Sequence, residues 1–313
     1  MRTHPLLALT LAIAAAGLSA VPGVAAATPQ QSDRPGRFDR SLLQRDALLV
    51  DAQGNASRVV RCASPRPGEQ FPAAPSADAA QVLAISDRSP RRAAELPVVV
   101  HVIRGRRQGR RIGDVTDETI ARQIEVLNRA FESTGYRFRL ERVNRVNKKR
   151  WYAGCGDWWI EEKMKQRLAV APDRNLNLYT CGDDILGYSS LPWSYDPDNF
   201  LHGVVVHHET LPGGAAAPYN EGDTAVHEVG HYLGLLHTFD GGCREGDLVA
   251  DTAPEDSPAF GCPVRRDTCR GGGPDPVANF MDYSDDACMI EFTDGQRDRI
   301  QAMVATYKPG LRR

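Results

Sequence analysis

Five positions within one eleven-residue stretch have the types and spacing needed to bind and activate a metal ion. The stretch is His227-Glu228-Val229-Gly230-His231-Tyr232-Leu233-Gly234-Leu235-Leu236-His237. On a helix, residues four apart share a face, so His227 and His231 present their imidazoles to one ion. Glu228 lies between them, angled so that its carboxylate reaches a water on that ion. Gly234 follows the second histidine by three residues, and glycine readily takes the positive φ that stops a helix sharply. That turn swings His237 back as a third nitrogen ligand. Three protein ligands with a fourth position open is the arrangement of catalytic zinc, whereas structural sites are closed by four. Neutral imidazoles leave such a site net positive, so the bound water is acidified and attacks a polarised carbonyl. The chemistry expected is hydrolysis.

Positioning these residues requires a helix and a sheet to carry it, and the patterning supplies both. Thr224 to Leu236 has a helical pattern. Leu96 to Ile103 is β-branched and apolar, as a buried strand should be. A second helix starts at Thr116, with Asp117 and Glu118 favouring its positive end and Ile120, Ile124, Leu127 and Phe131 forming one core face. Tyr136 to Leu140 and Asn175 to Tyr179 alternate like strands, and Gly203 to His207 reads as another, the expected edge for an extended peptide substrate. Its neighbours His207 and His208 are expected at the rim, not as ligands. A Gly/Pro/Asp-rich, cysteine-bearing stretch then runs to about Pro276, before a last helix near Gly295 to Tyr307. The fold class is therefore α+β, with a mixed sheet and two helices above an irregular lower half. The basic run Arg104 to Arg111 has two glycines and no aromatics to stack bases, so it is expected as a solvated loop, and no nucleic acid partner is expected.

The chain has 313 residues, a formal net charge of -2 and seven cysteines. Its mean hydropathy of -0.40 argues against an integral membrane protein. Residues 1–27 read as a signal peptide: a short basic start, an apolar run from Leu6 to Leu18, and small residues at Val24 to Ala27. Pro22 and Gly23 interrupt that run before the roughly 20 residues that span a bilayer. Secretion would expose the cysteines to an oxidising compartment. Residues 28–95 are rich in Arg, Pro, Ala and Ser and read as a propeptide, with Arg91-Arg92 as a plausible cut point. Residues 96–313 form the expected catalytic domain and carry 27 Lys and Arg against 32 Asp and Glu.

Beyond the histidines, Asn279-Phe280-Met281-Asp282-Tyr283 places a methionine-containing turn 44 residues past His237. The extended histidine pattern followed by such a turn is the metzincin signature. Gly222 to Phe239 and Asn279 to Met289 closely resemble the pappalysin family of metzincin zinc metalloproteases, in its small bacterial and fungal extracellular branch. Leu96 to Ile103, Asn175 to Thr180 and Phe292 to Gln296 share that resemblance.

The resemblance implies a metzincin-like catalytic domain: a twisted mixed sheet with a backing helix and an active-site helix above a disulfide-bonded lower subdomain. It makes His227, His231 and His237 the zinc ligands and Glu228 the general base and acid. Tyr283 matches the tyrosine that stabilises the oxyanion. It also implies calcium in the loop after the third histidine, where Asp247, Asp251, Thr252 and Glu255 offer oxygens. Protein or peptide substrates are implied, some family members cutting before Arg or Lys, and Asp285 and Asp286 could set negative charge near a specificity pocket. The resemblance favours the pairs Cys243–Cys269 and Cys262–Cys288, leaving Cys155 and Cys181 as a third pair. Cys62, left over and alone in the propeptide, would occupy the open zinc position until the propeptide is cut away. Two other readings remain open: an inactive secreted zinc-binding or adhesion module on the same scaffold, and a different metzincin branch.

Overall fold

A computed structural model describes residues 47–50, 56–64 and 94–312. The expected signal peptide and the Arg91-Arg92 cut point lie outside the described residues. In chain order the strands are β1 (Ala47–Val50), β2 (Ala56–Cys62), β3 (Ala94–Arg107), β4 (Arg110–Ile112), β5 (Tyr136–Asn147), β6 (Leu176–Cys181), β7 (Ile185–Ser189) and β8 (Val204–His207). The α-helices are α1 (Asp117–Ala130), α2 (Lys149–Tyr152), α3 (Trp158–Leu168), α4 (Asp223–Tyr232), α5 (Gly242–Glu245) and α6 (Asp294–Tyr307).

All eight strands join one mixed sheet in the order β1-β2-β7-β8-β6-β3-β4, with β5 also paired to β3. Strand β3 runs parallel to both β5 and β6. Val98, Val99 and Val100 of β3 are all buried, the unbroken apolar run expected where both faces are covered. The apolar side chains of α1, the β3 and β6 valines and leucines, and Val226 and Val229 of α4 form one core. Thr116 caps α1 by accepting from the Thr119 amide, and a capping box of Thr293 and Gln296 starts α6.

Two expectations change. Gly203 to His207 is not an edge: β8 lies between β6 and β7, and β7, antiparallel to it, carries the outer side. That outer side is covered by β2, which runs parallel to β7 with Val60 opposite Ile185 and Cys62 opposite Gly187. Nor is Arg104 to Arg111 a loop. It continues β3 and turns back into β4 through Gln108 and Gly109, both at positive φ, the two-residue turn whose twist matches a hairpin.

Below the sheet the chain is irregular and stapled by Cys243–Cys269 and Cys262–Cys288, while Cys155–Cys181 closes in the upper half. The seventh cysteine, Cys62, is free and buried.

Candidate metal centre

Helix α4 is buried along its whole length, so its polar side chains must find partners inside the protein. It ends where the sequence requires. Gly234 sits at φ 108, its amide donates to the His231 carbonyl, and the Leu235 amide reaches back to Gly230. A Cβ on Gly234 would also come within 2.5 Å of Met303 Cβ. The chain beyond the turn brings His237 to the two helical histidines. His231 Nε2 is 3.1 Å from His227 Nε2 and 3.0 Å from His237 Nε2.

These nitrogens are not hydrogen-bonded to one another. His227 Nδ1 lies 2.7 Å from the Phe280 carbonyl and His231 Nδ1 lies 2.9 Å from the Leu235 carbonyl. A carbonyl only accepts, so each Nδ1 carries the proton and each Nε2 presents a lone pair. His237 Nδ1 faces the Asp240 carboxylate at 3.2 Å, which fixes the same tautomer. Three lone pairs thus converge at the centre, an arrangement that a bound cation relieves. Nitrogens bonded tetrahedrally to an ion at about 2.0–2.1 Å lie roughly 3.3 Å apart, close to what is seen. The donor set fits zinc. Burial holds the pKa of His231 down at about 3, keeping the ring neutral as a ligand must be.

The Cys62 thiol is gathered with them. Its Sγ and the three imidazole nitrogens all lie within 4.8 Å of one another. Among the described residues this is the group of His, Cys, Asp and Glu gathered in metal-binding geometry. His207 and His208 stand outside it: His207, buried in β8, accepts from the Glu209 amide, and His208 faces the Cys181 carbonyl.

Glu228 is fully buried, and burial above all pushes its carboxyl up to about 8. Its room comes from β7, where a Cβ on Gly187 would come within 2.7 Å of Glu228 Cγ. Its Oε2 takes a 3.2 Å hydrogen bond from the Ser64 hydroxyl. The same hydroxyl accepts from the Ser189 amide at 2.6 Å and lies 3.1 Å from the Ser189 carbonyl. The methionine turn closes the site from below. Phe280 supplies the carbonyl that orients His227, and fully buried Met281 packs against Gly230. The Tyr283 hydroxyl is 3.3 Å from His237 Nε2, within reach of a group bound at the centre.

Beside the centre, Arg61 enters a buried acidic recess. Its guanidinium lies 4.3 Å over the Tyr219 ring and donates to the Ser284 carbonyl at 3.1 Å and to the Thr224 hydroxyl at 3.4 Å. Burial raises Asp223 to about 8, helped by Asp286 and opposed by Arg61. Asp286 is likewise raised by burial and lowered by Arg61, and it accepts from the Glu221 amide at 2.8 Å. Asp285 lies outside the recess contacts, its amide donating to the Gly261 carbonyl.

The four residues considered for calcium are not gathered at one point. Asp251 accepts from the Thr293 hydroxyl and the Gly295 amide at the start of α6. Glu255 accepts from Thr238 and is ion-paired with Arg266 at 2.7 Å. Of these four residues, Asp247 and Thr252 are the two with a buried side-chain oxygen, Oδ2 and Oγ1, that meets no hydrogen-bond criterion. The sequence reading passed over Arg61, Ser64, Asp223 and Asp240. Asp240, three residues past His237, was the one with a positional signal.

Residues 190–305 match the family described as pregnancy-associated plasma protein-A. An extracellular metalloprotease of Coccidioides posadasii is 39% identical over 272 residues, covering 84% of this chain and 95% of that one. One from Pyricularia oryzae is 37% identical over 279 residues, covering 84% and 93%. Among solved structures, Tannerella forsythia promirolysin superposes with a TM-score of 0.67 at 28% identity, covering 80% of this chain and 95% of that one. Mature mirolysin in complex with a cleaved peptide gives 0.58 at 29% identity, covering 72% and 100%.

Proposed function

The chain belongs to the pappalysin family of metalloproteases, and on that premise we propose that it is a secreted zinc endopeptidase made as a latent precursor. The observation that carries this reading is the convergence of three imidazole lone pairs beside the buried Glu228 carboxylate, with the Cys62 thiol as fourth donor. His227, His231 and His237 would hold the zinc. When bound there, zinc supplies Lewis acidity to the scissile carbonyl and lowers the pKa of water. Glu228 takes the proton of the attacking water and hands it to the leaving amine, and burial, which raises its proton affinity, suits it to both steps. The Tyr283 phenol donates to the oxyanion that develops on the substrate.

In the precursor, residues 28–95 serve as propeptide behind a signal peptide of residues 1–27, and maturation occurs near Arg91-Arg92. Cys62 supplies the fourth ligand and closes a site that catalysis needs open. Ser64 adds a contact to the base itself. Both fit the likeness to promirolysin. The recess holding Arg61 supports a preference for Arg or Lys after the scissile bond, with Asp223, Asp286 and Tyr219 as its recognition groups. For calcium, Asp247 and Thr252 are the residues with oxygens to offer.

Assay of the processed protein on a mixed peptide library, with and without a zinc chelator and beside Glu228→Ala, tests the reading. Activity that the chelator and the substitution both abolish is expected. A processed wild type that holds zinc but cuts nothing would favour the adhesion module instead.

A further inference from the structure

Strand β2 fills two places beside the metal centre, and only one of them has a role so far. Val59 and Arg61 are two residues apart on β2, and side chains alternate across a strand, so both point to the same face. Arg61 enters the acidic recess. Val59 is fully buried in a separate apolar cluster with Leu186 of β7, Ala216, Tyr219 and Ala47 of β1. Tyr219 serves both places, since the Arg61 guanidinium lies over its ring.

Three of these walls belong to the expected catalytic domain, and bonds within that domain hold them. Leu186 sits in β7, which pairs on its inner side with β8. The Ala216 amide donates to the Glu209 carbonyl at 3.1 Å, and the Tyr219 amide donates to the Ala216 carbonyl at 2.7 Å. The Ala215 amide donates to the Glu209 carboxylate at 2.9 Å. The Asp286 amide donates to the Pro218 carbonyl at 3.3 Å, tying this segment to the recess. Loss of residues 28–95 would take away Ala47 and Val59 and leave these walls standing. What remains is an apolar patch beside the recess, along the uncovered side of β7.

An extended peptide that adds to this side of β7 repeats the two-residue period of β2. With a basic side chain in the recess, its neighbour two positions on lies over Leu186, Ala216 and Tyr219. Space sets the order, whichever way the chain runs: Cys62 stands at the metal centre, Arg61 is next, and Val59 is two further out. We propose that this patch is a specificity subsite of the processed protease, taking an aliphatic side chain at the third substrate position after the scissile bond. It rests on the reading of the recess as the site of Arg or Lys directly after that bond. A charged side chain at the third position would lose water against Leu186 and Ala216 without gaining a partner from them, so it is disfavoured.

Peptides that mimic the product released from the far side of the cut test this, because they need no cutting to report. Arg-Ala-Val-Ala amide, Arg-Ala-Ser-Ala amide and Leu-Ala-Val-Ala amide are titrated onto the processed protein by calorimetry. Exchanging valine for serine should weaken binding on the order of tenfold, the low end for burying a valine, because a substrate brings no counterpart of Ala47. In substrates extended on the other side of the cut, kcat/KM should follow the same ratio. Leu186→Ser should bring the valine-to-serine ratio close to one while keeping the arginine-to-leucine ratio, and Leu186→Ile should keep both. Equal affinities of the valine and serine peptides for the parent would overturn the proposal. So would a valine peptide that does not bind, or a valine-to-serine ratio unmoved by Leu186→Ser. Failure of the recess reading shows separately, as equal affinities of the arginine and leucine peptides.

Discussion

On the proposal that residues 28–95 are a propeptide that keeps the precursor latent, Ser64→Ala isolates one of its contacts. The Ser64 hydroxyl reaches Glu228 Oε2 at 3.2 Å and accepts from the Ser189 amide at 2.6 Å. Alanine keeps the chain path of β2 and the Cys62 thiol but removes the partner of the Ser189 amide and one of the hydrogen bonds to Glu228. Leaving a buried donor or acceptor without its partner costs about 1–3 kcal/mol, and each 1.4 kcal/mol is tenfold in an equilibrium. The fraction of precursor with β2 displaced from β7 should rise roughly 10- to 100-fold. The assay is the initial rate on a fluorogenic peptide, read before any shortened chain is detectable by mass. Ser64→Thr, which keeps a hydroxyl, should restore most of the silence. The processed enzyme should be identical from all three precursors, because residue 64 is no longer in it. A Ser64→Ala precursor that is as silent as the parent and melts at the same temperature would refute the reasoning, leaving Cys62 and Arg61 as the only latches.

Asp286→Asn in the processed enzyme should cut the preference for Arg over Leu after the scissile bond by about tenfold or more, as removing one partner of a buried charge pair does; kcat/KM on paired peptides reads this. Gly230→Ala should destabilise by roughly 1–3 kcal/mol through overpacking against Met281, measured as a lower melting temperature and faster loss of zinc to a chelator. His101 is buried, stacked on Tyr179 and held by burial at about 4. Its folded pKa lies below the unfolded value of 6.5, so the stability it preserves is present above pH 6.5 and is lost as pH falls towards 4. Between pH 7 and 4.5 this loss amounts to about 2–3 kcal/mol. Urea midpoints at the two pH values should therefore differ less in His101→Gln than in the parent.

Much of the site was legible because it is local. His227, His231 and Glu228 share one helix, and Gly234 and His237 complete the set within eleven residues, so spacing alone constrains geometry. The long buried strand β3 was equally plain from its valines. What escaped was created by packing between distant segments. Strand β7 went unread because Gly187 interrupts its apolar pattern, and that glycine is there to make room for Glu228, 41 positions later. With β7 unseen, the outer side of the sheet was assigned to β8. Arg61 and Ser64 flank Cys62 in sequence, but their roles depend on partners more than 120 residues away. The hairpin at Gln108-Gly109 was hidden by charge: strand patterning looks for apolar alternation, and on a solvated ribbon the alternating residues are all arginines.

The lower half has its own consequence. Its two disulfides overlap along the chain, Cys262 falling inside the loop closed by Cys243 and Cys269, and Cys269 inside that closed by Cys262 and Cys288. Any single backbone cut between residues 243 and 288 therefore leaves the fragments covalently joined. Arg265 and Arg270 lie exposed in that stretch, where a protease favouring basic residues would nick its own neighbours. A molecule so nicked keeps both ends of the break, and with them the segment that carries Met281 and Tyr283.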